Sequence, residues 1–322
     1  MTALETLASR LAEIPSVQAA SDVPLSRYTR FGIGGPADVY AETPDADAFA
    51  EAWRLVHASG APLEVIAGGT NLIVSDVGFR GVVLRYTGAA IEAEGPCVRA
   101  AAGASLWDLV WFTIDRGLRG LETLAGIPGS VGAAVYGNAG AYGHSISERI
   151  TFVRFLHRGK PREFDNPACH FRYRESIFKE HKDWVILSAQ LRLDPADAGE
   201  LRSRAEEIVR IRNEKFPPTM RCAGSIFKNL LFDDLPESVT RQVPPGVVRE
   251  GKIPAAWFLE QVGAKGIQHG GIAVADYHAN LIFNAGSGTA AELRGLIAEL
   301  KTRVRDRFGI EAEEEVQYVG FG

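Results

Sequence analysis

The sequence predicts an α+β fold with more than one domain, and three observations carry that expectation. The chain has 322 residues, 46% of them hydrophobic and 23% charged, and at about 150 residues per domain it can bury two or three cores. A strand, helix, strand opening near residue 37 gives way to several short apolar runs, unlike the steady alternation of a doubly wound parallel sheet. Glycine is uneven: of 34 in the chain, eight fall within the 27 positions from Gly117 to Gly143, where the usual level is about 7%. The ordinary apolar fraction and the lack of a G-x-y period exclude a disordered or fibrous chain.

The elements follow in order. Leu4, Leu7, Leu11 and Ile14, with charges between them, predict an amphipathic N-terminal helix rather than the unbroken apolar core of a signal peptide. A short strand at 37–41 precedes a helix opening near Pro44 and Asp45, and a second strand at 63–66 ends on Gly68-Gly69. Apolar runs at 71–74 and 81–84 read as further strands. Leu106, Leu109, Val110 and Thr113 share one face of a helix at 105–116, and the glycine-dense segment follows directly. Strands return at 151–156 and 184–193, the latter alternating as Val185, Leu187, Ala189, Leu191 and Leu193. A charged helix at 197–215 ends before Pro217-Pro218, the preferred domain boundary. Beyond it come a helix at 255–262, a strand near 280–283, a long helix at 289–307 and a final strand at 315–319. The polar, proline-bearing stretch 232–252 reads as a loop.

A net charge of -5 with dispersed Lys and Arg gives no footprint for nucleic acid or an anionic membrane. No stretch reaches the roughly 20 apolar residues of a membrane helix. Cys97, Cys169 and Cys222 are odd in number and far apart, which fits neither a disulfide framework nor a zinc site and points to a reducing cytoplasm. The seven histidines show no metal-ligand spacing, so no metal is expected.

Five segments could carry chemistry. In Ile66-Ala67-Gly68-Gly69-Thr70-Asn71-Leu72 a strand runs into two glycines; the pattern suits an anion cradle and equally a structural turn, and it is neither a Walker loop nor G-x-G-x-x-G. In Ala125-Gly-Ile127-Pro128-Gly129-Ser130-Val131-Gly132, running on through Asn138-Ala-Gly140-Ala141 to Gly143, glycines admit a flat or bulky ligand, and Asn138 could hydrogen-bond a ring edge. A tightly turned buried loop is the alternative. Two such segments together favour an extended, phosphate-bearing cofactor. In Phe171-Arg-Tyr173-Arg174-Glu175, Arg174 can present a bidentate fork to a carboxylate or pair on the surface with Glu175. In Ala223-Gly-Ser225-Ile-Phe-Lys228-Asn229, Ser225 lacks the G-x-S-x-G setting of a serine hydrolase but can donate a proton or a hydrogen bond. Glu315 ends an acidic run and opens an apolar strand, so it can face inward or stay solvated. His278 reads as a core residue or a site residue.

These segments, in this order, resemble the MurB family of flavin-dependent UDP-N-acetylenolpyruvoylglucosamine reductases. The resemblance extends from about Tyr28 to Gly320 and rests also on Phe31-Gly-Ile-Gly-Gly-Pro-Ala-Asp38, Lys265-Gly266 to Gly270-Gly271, and His278-Ala-Asn280. It implies two lobes (23–88 and 89–194) that hold FAD in a fold of the vanillyl-alcohol-oxidase (PCMH) type. A helix at 1–22 would precede them and a connecting helix at 195–216 would follow. A UDP-sugar domain at 217–322 would complete the chain, with its last strand able to return to the lobes. The segments match the shorter, type II branch. Leu230 stands where proline commonly follows Lys-Asn, Ala133 replaces a frequent glycine, and 231–252 is longer than usual.

The activity implied is reduction of the enolpyruvyl ether to a lactyl ether in peptidoglycan synthesis, with non-covalent FAD and NADPH, by a cytoplasmic enzyme expected to be monomeric. Hydride would go to C3 and the proton of Ser225 to C2. Arg174, and Glu315 as a neutral acid or through a polarised partner, would stabilise the enolate-like charge. Ala67, Gly68, Gly69, Thr70, Asn71, Leu72, Ile127 to Val131, Asn138, Gly140 and Ala141 would line FAD. Tyr173, Lys228, Asn229, Gln261, His278 and Asn280 would contact substrate, Lys228 at the diphosphate. Another FAD oxidoreductase of the same fold, acting on a sugar or alcohol, would share the FAD segments but not the set of Arg174, Ser225 and Glu315. A nucleotide-sugar binding protein would need no flavin.

Overall fold

The computed structural model describes residues 2–321. The chain forms two compact units, the first from Met1–Val23, Ala37–Gly69 and Phe79–Glu214, the second from Pro24–Pro36, Thr70–Gly78 and Lys215–Gly322. They are not the contiguous stretches that the sequence suggested. Residues 24–36 and 70–78 belong with the C-terminal part, because Phe31, Ile33 and Ile73 are built into its apolar core. The final strand, Gln317–Val319, pairs in parallel with Leu72–Val74, and both lie in the second unit.

Within the first unit the strand, helix, strand opening is Pro36–Thr43, Ala46–Ser59 and Leu63–Ile66. Asp45 caps the helix, its carboxylate accepting from the N–H groups of Asp47 and Ala48 at 2.9 and 2.8 Å, as its place before the apolar face foretold. Both strands flank Phe79–Tyr86 in parallel, and Gln18–Pro24 closes the other edge of the sheet. The helices Ala3–Ala12 and Ala46–Ser59 bury Leu7, Leu11, Phe49, Trp53 and Val56 against Val39, Val82 and Leu84. A second, antiparallel sheet runs in the order Lys160–Asp165, Ile150–His157, Val185–Arg192, Cys97–Ala101, Ile91–Glu94. The core containing Leu106, Leu109 and Val110 from helix Leu106–Ile114 also takes in Val131 and Val135 from helix Val131–Tyr136, Leu201 and Ile208 from helix Ala198–Lys215, and Val153, Ala189 and Leu191 from this sheet.

In the second unit a meander of Gln268–His269, Ile272–Ala275 and His278–Asn284 contributes to one core with helices Ala255–Gln261 and Ala290–Phe308. The longer helix buries Leu293, Leu296, Ile297, Leu300 and Val304, each gaining about 1.5–3 kcal/mol over exposure. Thr289 and Glu292 form its capping box, and the Asp76 carboxylate takes the N–H groups of Ala290 and Ala291 at 2.8 and 2.9 Å. That carboxylate at a helix N-terminus fixes the 70–78 segment to this unit. The stretch expected as a loop at 232–252 carries three short helical turns, Phe232–Asp234, Glu237–Thr240 and Pro245–Val247. It is clasped at its base by Leu230 and Leu231 pairing with Ile253 and Lys252, and it buries Val239 and Val243. Among the described residues no helix is long and apolar enough to cross a membrane.

Candidate active site

The two glycine segments of the first unit face each other. The nearest atom to a Cβ built on Gly68 is Gly129 Cα, at 4.0 Å, so a side chain at Gly68 would occupy open space between the loops. Gly69 has φ of 64°, a left-handed turn that glycine adopts without cost. Among the described residues, the N–H groups of Gly68, Gly69, Gly129 and Ser130 make no hydrogen bond. Unfilled space bordered by unpaired backbone donors fits the pyrophosphate of an extended cofactor. Ala67 is half-buried on the same turn, Ile127 is half-buried, and Pro128 is exposed. Ser130 caps helix Val131–Tyr136, its hydroxyl accepting from the Ala133 N–H at 3.3 Å.

Elsewhere in the glycine-dense segment the packing of a tightly turned loop accounts for two glycines. A Cβ on Gly132 would lie 2.8 Å from Ala102 Cβ, and one on Gly140 2.6 Å from the His144 carbonyl oxygen, so these two glycines let chain pack on chain. Ala141, with Gly140, pairs with His144 and Ser145 in the hairpin that follows. Asn138 is a correction. Expected to meet a ring edge, it is 6% exposed, with its amide nitrogen donating to the Arg172 carbonyl at 2.8 Å and its amide oxygen accepting from the Ser147 N–H at 3.3 Å.

Asn138 thereby holds the turn that bears Tyr173 and Arg174. Arg172 and Glu175 exchange backbone hydrogen bonds of 3.0 and 3.1 Å across the turn, and Arg174 sits at φ of 58°, a left-handed conformation that is strained for a long side chain. Its guanidinium donates to the Gly140 carbonyl at 3.1 Å and lies 5.5 Å from the centroid of the half-buried Tyr173 ring. Lys179 Nζ donates to the Arg174 carbonyl at 2.9 Å and to Glu175 at 3.1 Å. The Ser176 hydroxyl donates to the Tyr136 carbonyl at 2.7 Å. The Tyr136 phenol, pushed up to about 12 by burial and by Glu64 and Glu175, stays protonated at neutral pH.

In the second unit Ser225 lies on a segment gripped from both sides. Gly224 before it has φ of 84°, and a Cβ there would meet nothing within 4 Å, so backbone conformation rather than crowding selects glycine. On one side Ser225 bridges Leu281 in antiparallel fashion, and the Ile226 N–H donates to the Asn280 carbonyl at 3.1 Å. On the other side the Glu315 N–H donates to the Ile226 carbonyl at 2.7 Å and the Lys228 N–H to the Glu313 carbonyl at 2.9 Å. Ser225 and Glu315, 90 positions apart in the chain, therefore stand on neighbouring extended segments, just outside the regular strands, both half-buried. The buried Lys228 places its ammonium on the exposed Glu313 carboxylate, a partner that sequence reasoning passed over because an acidic run usually faces solvent.

Three asparagines expected at ligands hold backbone, and for the buried Asn280 this corrects the expectation of a substrate contact. Asn280 is 2% exposed; its amide oxygen accepts from the Phe227 N–H and its amide nitrogen donates to the Phe227 carbonyl, both at 2.9 Å. Asn71 donates to the Glu315 carbonyl at 2.9 Å and takes the Gln317 N–H on its own carbonyl at 2.9 Å, while Leu72 pairs with Gln317 and Thr70 begins the turn before it. The Asn229 amide oxygen accepts from the Ala255 N–H at 3.2 Å, at the start of helix Ala255–Gln261. Gln261 ends that helix with its carbonyl taken by Arg307. His278 accepts the Asn280 N–H on Nδ1 at 3.1 Å. Burial and nearby Lys215 push the His278 imidazole down to about 4, so it is neutral at pH 7. Among the described residues there is no cluster of His, Cys, Asp and Glu able to hold a metal ion.

Comparison with known proteins joins these sites to an established family. Residues 37–159 match the family model described as FAD binding domain, and residues 216–319 match that described as UDP-N-acetylenolpyruvoylglucosamine reductase, C-terminal domain. A UDP-N-acetylenolpyruvoylglucosamine reductase of Solibacter usitatus is 64% identical over 311 residues, 97% of this chain and 100% of that protein. One from Rubrobacter xylanophilus is 37% identical over 301 residues, 93% of this chain and 94% of the relative. The crystal structure of UDP-N-acetylenolpyruvylglucosamine reductase (MurB) from Thermus caldophilus superposes with a TM-score of 0.72 at 28% identity, covering 94% of this chain and 98% of that one. An FAD-binding part, a reductase C-terminal part and identity along nearly the whole length agree: the chain belongs to the UDP-N-acetylenolpyruvoylglucosamine reductase family.

Proposed function

We propose that the protein reduces the enolpyruvyl ether of its UDP-sugar substrate to a lactyl ether in peptidoglycan synthesis, with NADPH as the source of electrons. FAD, when bound, supplies those reducing equivalents to C3 of the enolpyruvyl group. Ser225 donates its Oγ proton to C2 and recovers one from solvent, so that two electrons and two hydrogens are added across the double bond. A hydroxyl is a weak acid in water, but a carbanion-like acceptor can take its proton when the donor is fixed in place. Arg174 carries a permanent charge for the substrate carboxylate, and Glu315 acts through a proton or polarised partner on its carboxyl group. Gly68, Gly69, Gly129 and Ser130 offer backbone N–H groups to the cofactor pyrophosphate. Lys228 meets the substrate diphosphate, and Tyr173 lies against the substrate beside Arg174.

The observation that carries this reading is the setting of Ser225: a half-buried hydroxyl on a segment whose backbone is tied on both sides, with Glu315 on the adjoining segment. A preorganised donor of this kind is what proton delivery to a fixed carbon requires. The free thiols of Cys97, Cys169 and Cys222 support a reducing cytoplasm, and we read the enzyme as a monomer. The test is anaerobic. NADPH should bleach the flavin of the purified yellow protein, and the enolpyruvyl substrate should restore its colour. Ser225→Ala should leave the bleaching rate intact and slow the return of colour. Equal slowing of both halves would overturn the role of Ser225, and a purified protein without flavin absorbance would overturn the whole reading.

A further inference from the structure

We infer that Asn280 is a positioning residue for the proton-delivering step, its side chain fixing the backbone that carries Ser225. The inference rests on the reading of Ser225 as the proton donor. An ordinary antiparallel ladder between the segment 225–228 and the strand His278–Asn284 would return a hydrogen bond from the Asn280 N–H to the Ile226 carbonyl. That bond is not made. The Ile226 carbonyl is taken by the Glu315 N–H at 2.7 Å, and the Asn280 N–H turns to His278 Nδ1 at 3.1 Å. The two segments part at this point, and the carboxamide of Asn280 spans the gap.

Its geometry suits the task. One side chain satisfies both polar groups of Phe227, the N–H and the carbonyl, at 2.9 Å each, while its own backbone carbonyl holds Ile226 at 3.1 Å. Asn280, Ile226 and Phe227 are 2%, 0% and 1% exposed, so water cannot replace these bonds and losing one leaves a buried polar group unpaired. The clamp closes two residues beyond Ser225 and one before Lys228. Its burial and its bonds to Phe227 seal the carboxamide from a substrate, which separates positioning from contact. A carboxylate of the same shape at this position would keep the acceptor for the Phe227 N–H but would set an oxygen against the Phe227 carbonyl. Glutamine would keep both functions and shift them by one methylene.

The test uses the FAD-loaded full chain with Asn280→Asp, Asn280→Gln, Ser225→Ala and the Ser225→Ala/Asn280→Asp double variant. Flavin absorbance and the thermal midpoint are read first, and Asn280→Gln carries the test if the aspartate variant does not hold FAD. NADPH bleaching should keep its wild-type rate. Reoxidation by the enolpyruvyl substrate should slow by about 10- to 100-fold in the positioning variants, with kcat falling while KM moves less than about twofold, since no substrate contact is removed. The solvent deuterium isotope effect on reoxidation should rise as proton delivery becomes limiting. The double variant should be no slower than Ser225→Ala, because a clamp has no further effect once the hydroxyl it aims is gone. Slowing of both half-reactions alike, losses that multiply in the double variant, or a change confined to KM would overturn the positioning role while leaving Ser225 standing. Ser225→Ala without effect on reoxidation would sink the reading of Ser225 and this inference with it.

Discussion

The turn bearing Arg174 and the segment bearing Ser225 are both irregular, and each is anchored by a buried asparagine, but they are built in opposite ways. Around Arg174 the rigidity is local: Arg172 and Glu175 close the turn on themselves, Arg174 accepts a left-handed conformation, and Asn138 adds a single tie to the Arg172 carbonyl. Around Ser225 it is imposed from outside, by 280–281 on one flank and 313–315 on the other, with Asn280 gripping Phe227 at both ends. A guanidinium can be presented from a strained turn, since its long side chain reaches. A short serine side chain has no reach of its own, so its backbone has to be placed.

That contrast can be broken by experiment, starting with the largest effect. Arg174→Lys keeps the charge but loses the planar fork and the reach to Gly140, and reoxidation of the flavin by substrate should fall about 100-fold; stopped-flow rates close to wild type would show that the strained turn serves only the fold. Asn138→Ala leaves the Ser147 N–H without its partner and takes from the Arg172 carbonyl one of its two donors, the Glu175 N–H remaining; it should lower stability by about 1 kcal/mol in urea titration, together with a slower reoxidation. A stable variant with wild-type rates would show that the turn holds itself without Asn138. Gly68→Val and Gly132→Ala separate ligand space from chain packing. The first should weaken FAD binding by at least about tenfold, measured by flavin fluorescence, with the apo-protein melting as before. The second should lower the melting temperature, because its Cβ would press on Ala102 at 2.8 Å.

The smallest effect concerns pH. The folded chain holds the His278 imidazole near 4 against an ordinary 6.5, so between those values the unfolded chain binds a proton that the folded one refuses. Stability from this group is complete above pH 6.5 and declines as pH falls through the window toward 4. His278→Gln should flatten that part of a denaturation profile measured from pH 4 to 7. An unchanged profile would remove His278 from the support of Asn280.

Much of this was legible in the chain. Asp45, Ser105 and Thr289 each stand before an apolar face, and each caps its helix, because capping depends on residues three or four apart. The strands at 63–66 and 185–192 were visible as apolar runs for the same local reason. The asparagines were not. Asn138, Asn280 and Asn71 look alike in sequence to any ligand-facing amide, and their partners lie 34, 53 and 244 residues away. The glycines divide similarly: local sequence cannot say whether a missing Cβ borders open space, as at Gly68, or makes room for Ala102, as at Gly132.

By itself, then, the sequence determined the elements, the family and the residue types able to do the chemistry, all of which rest on short-range patterns and on identities read one position at a time. Tertiary structure decided that 24–36 and 70–78 belong with the C-terminal core, that Ser225 and Glu315 stand on adjoining segments, and that Asn280 faces Phe227 rather than a ligand. The physical reason is that a buried amide goes to whichever backbone group would otherwise stay unpaired, and which group that is depends on where two distant stretches of chain part.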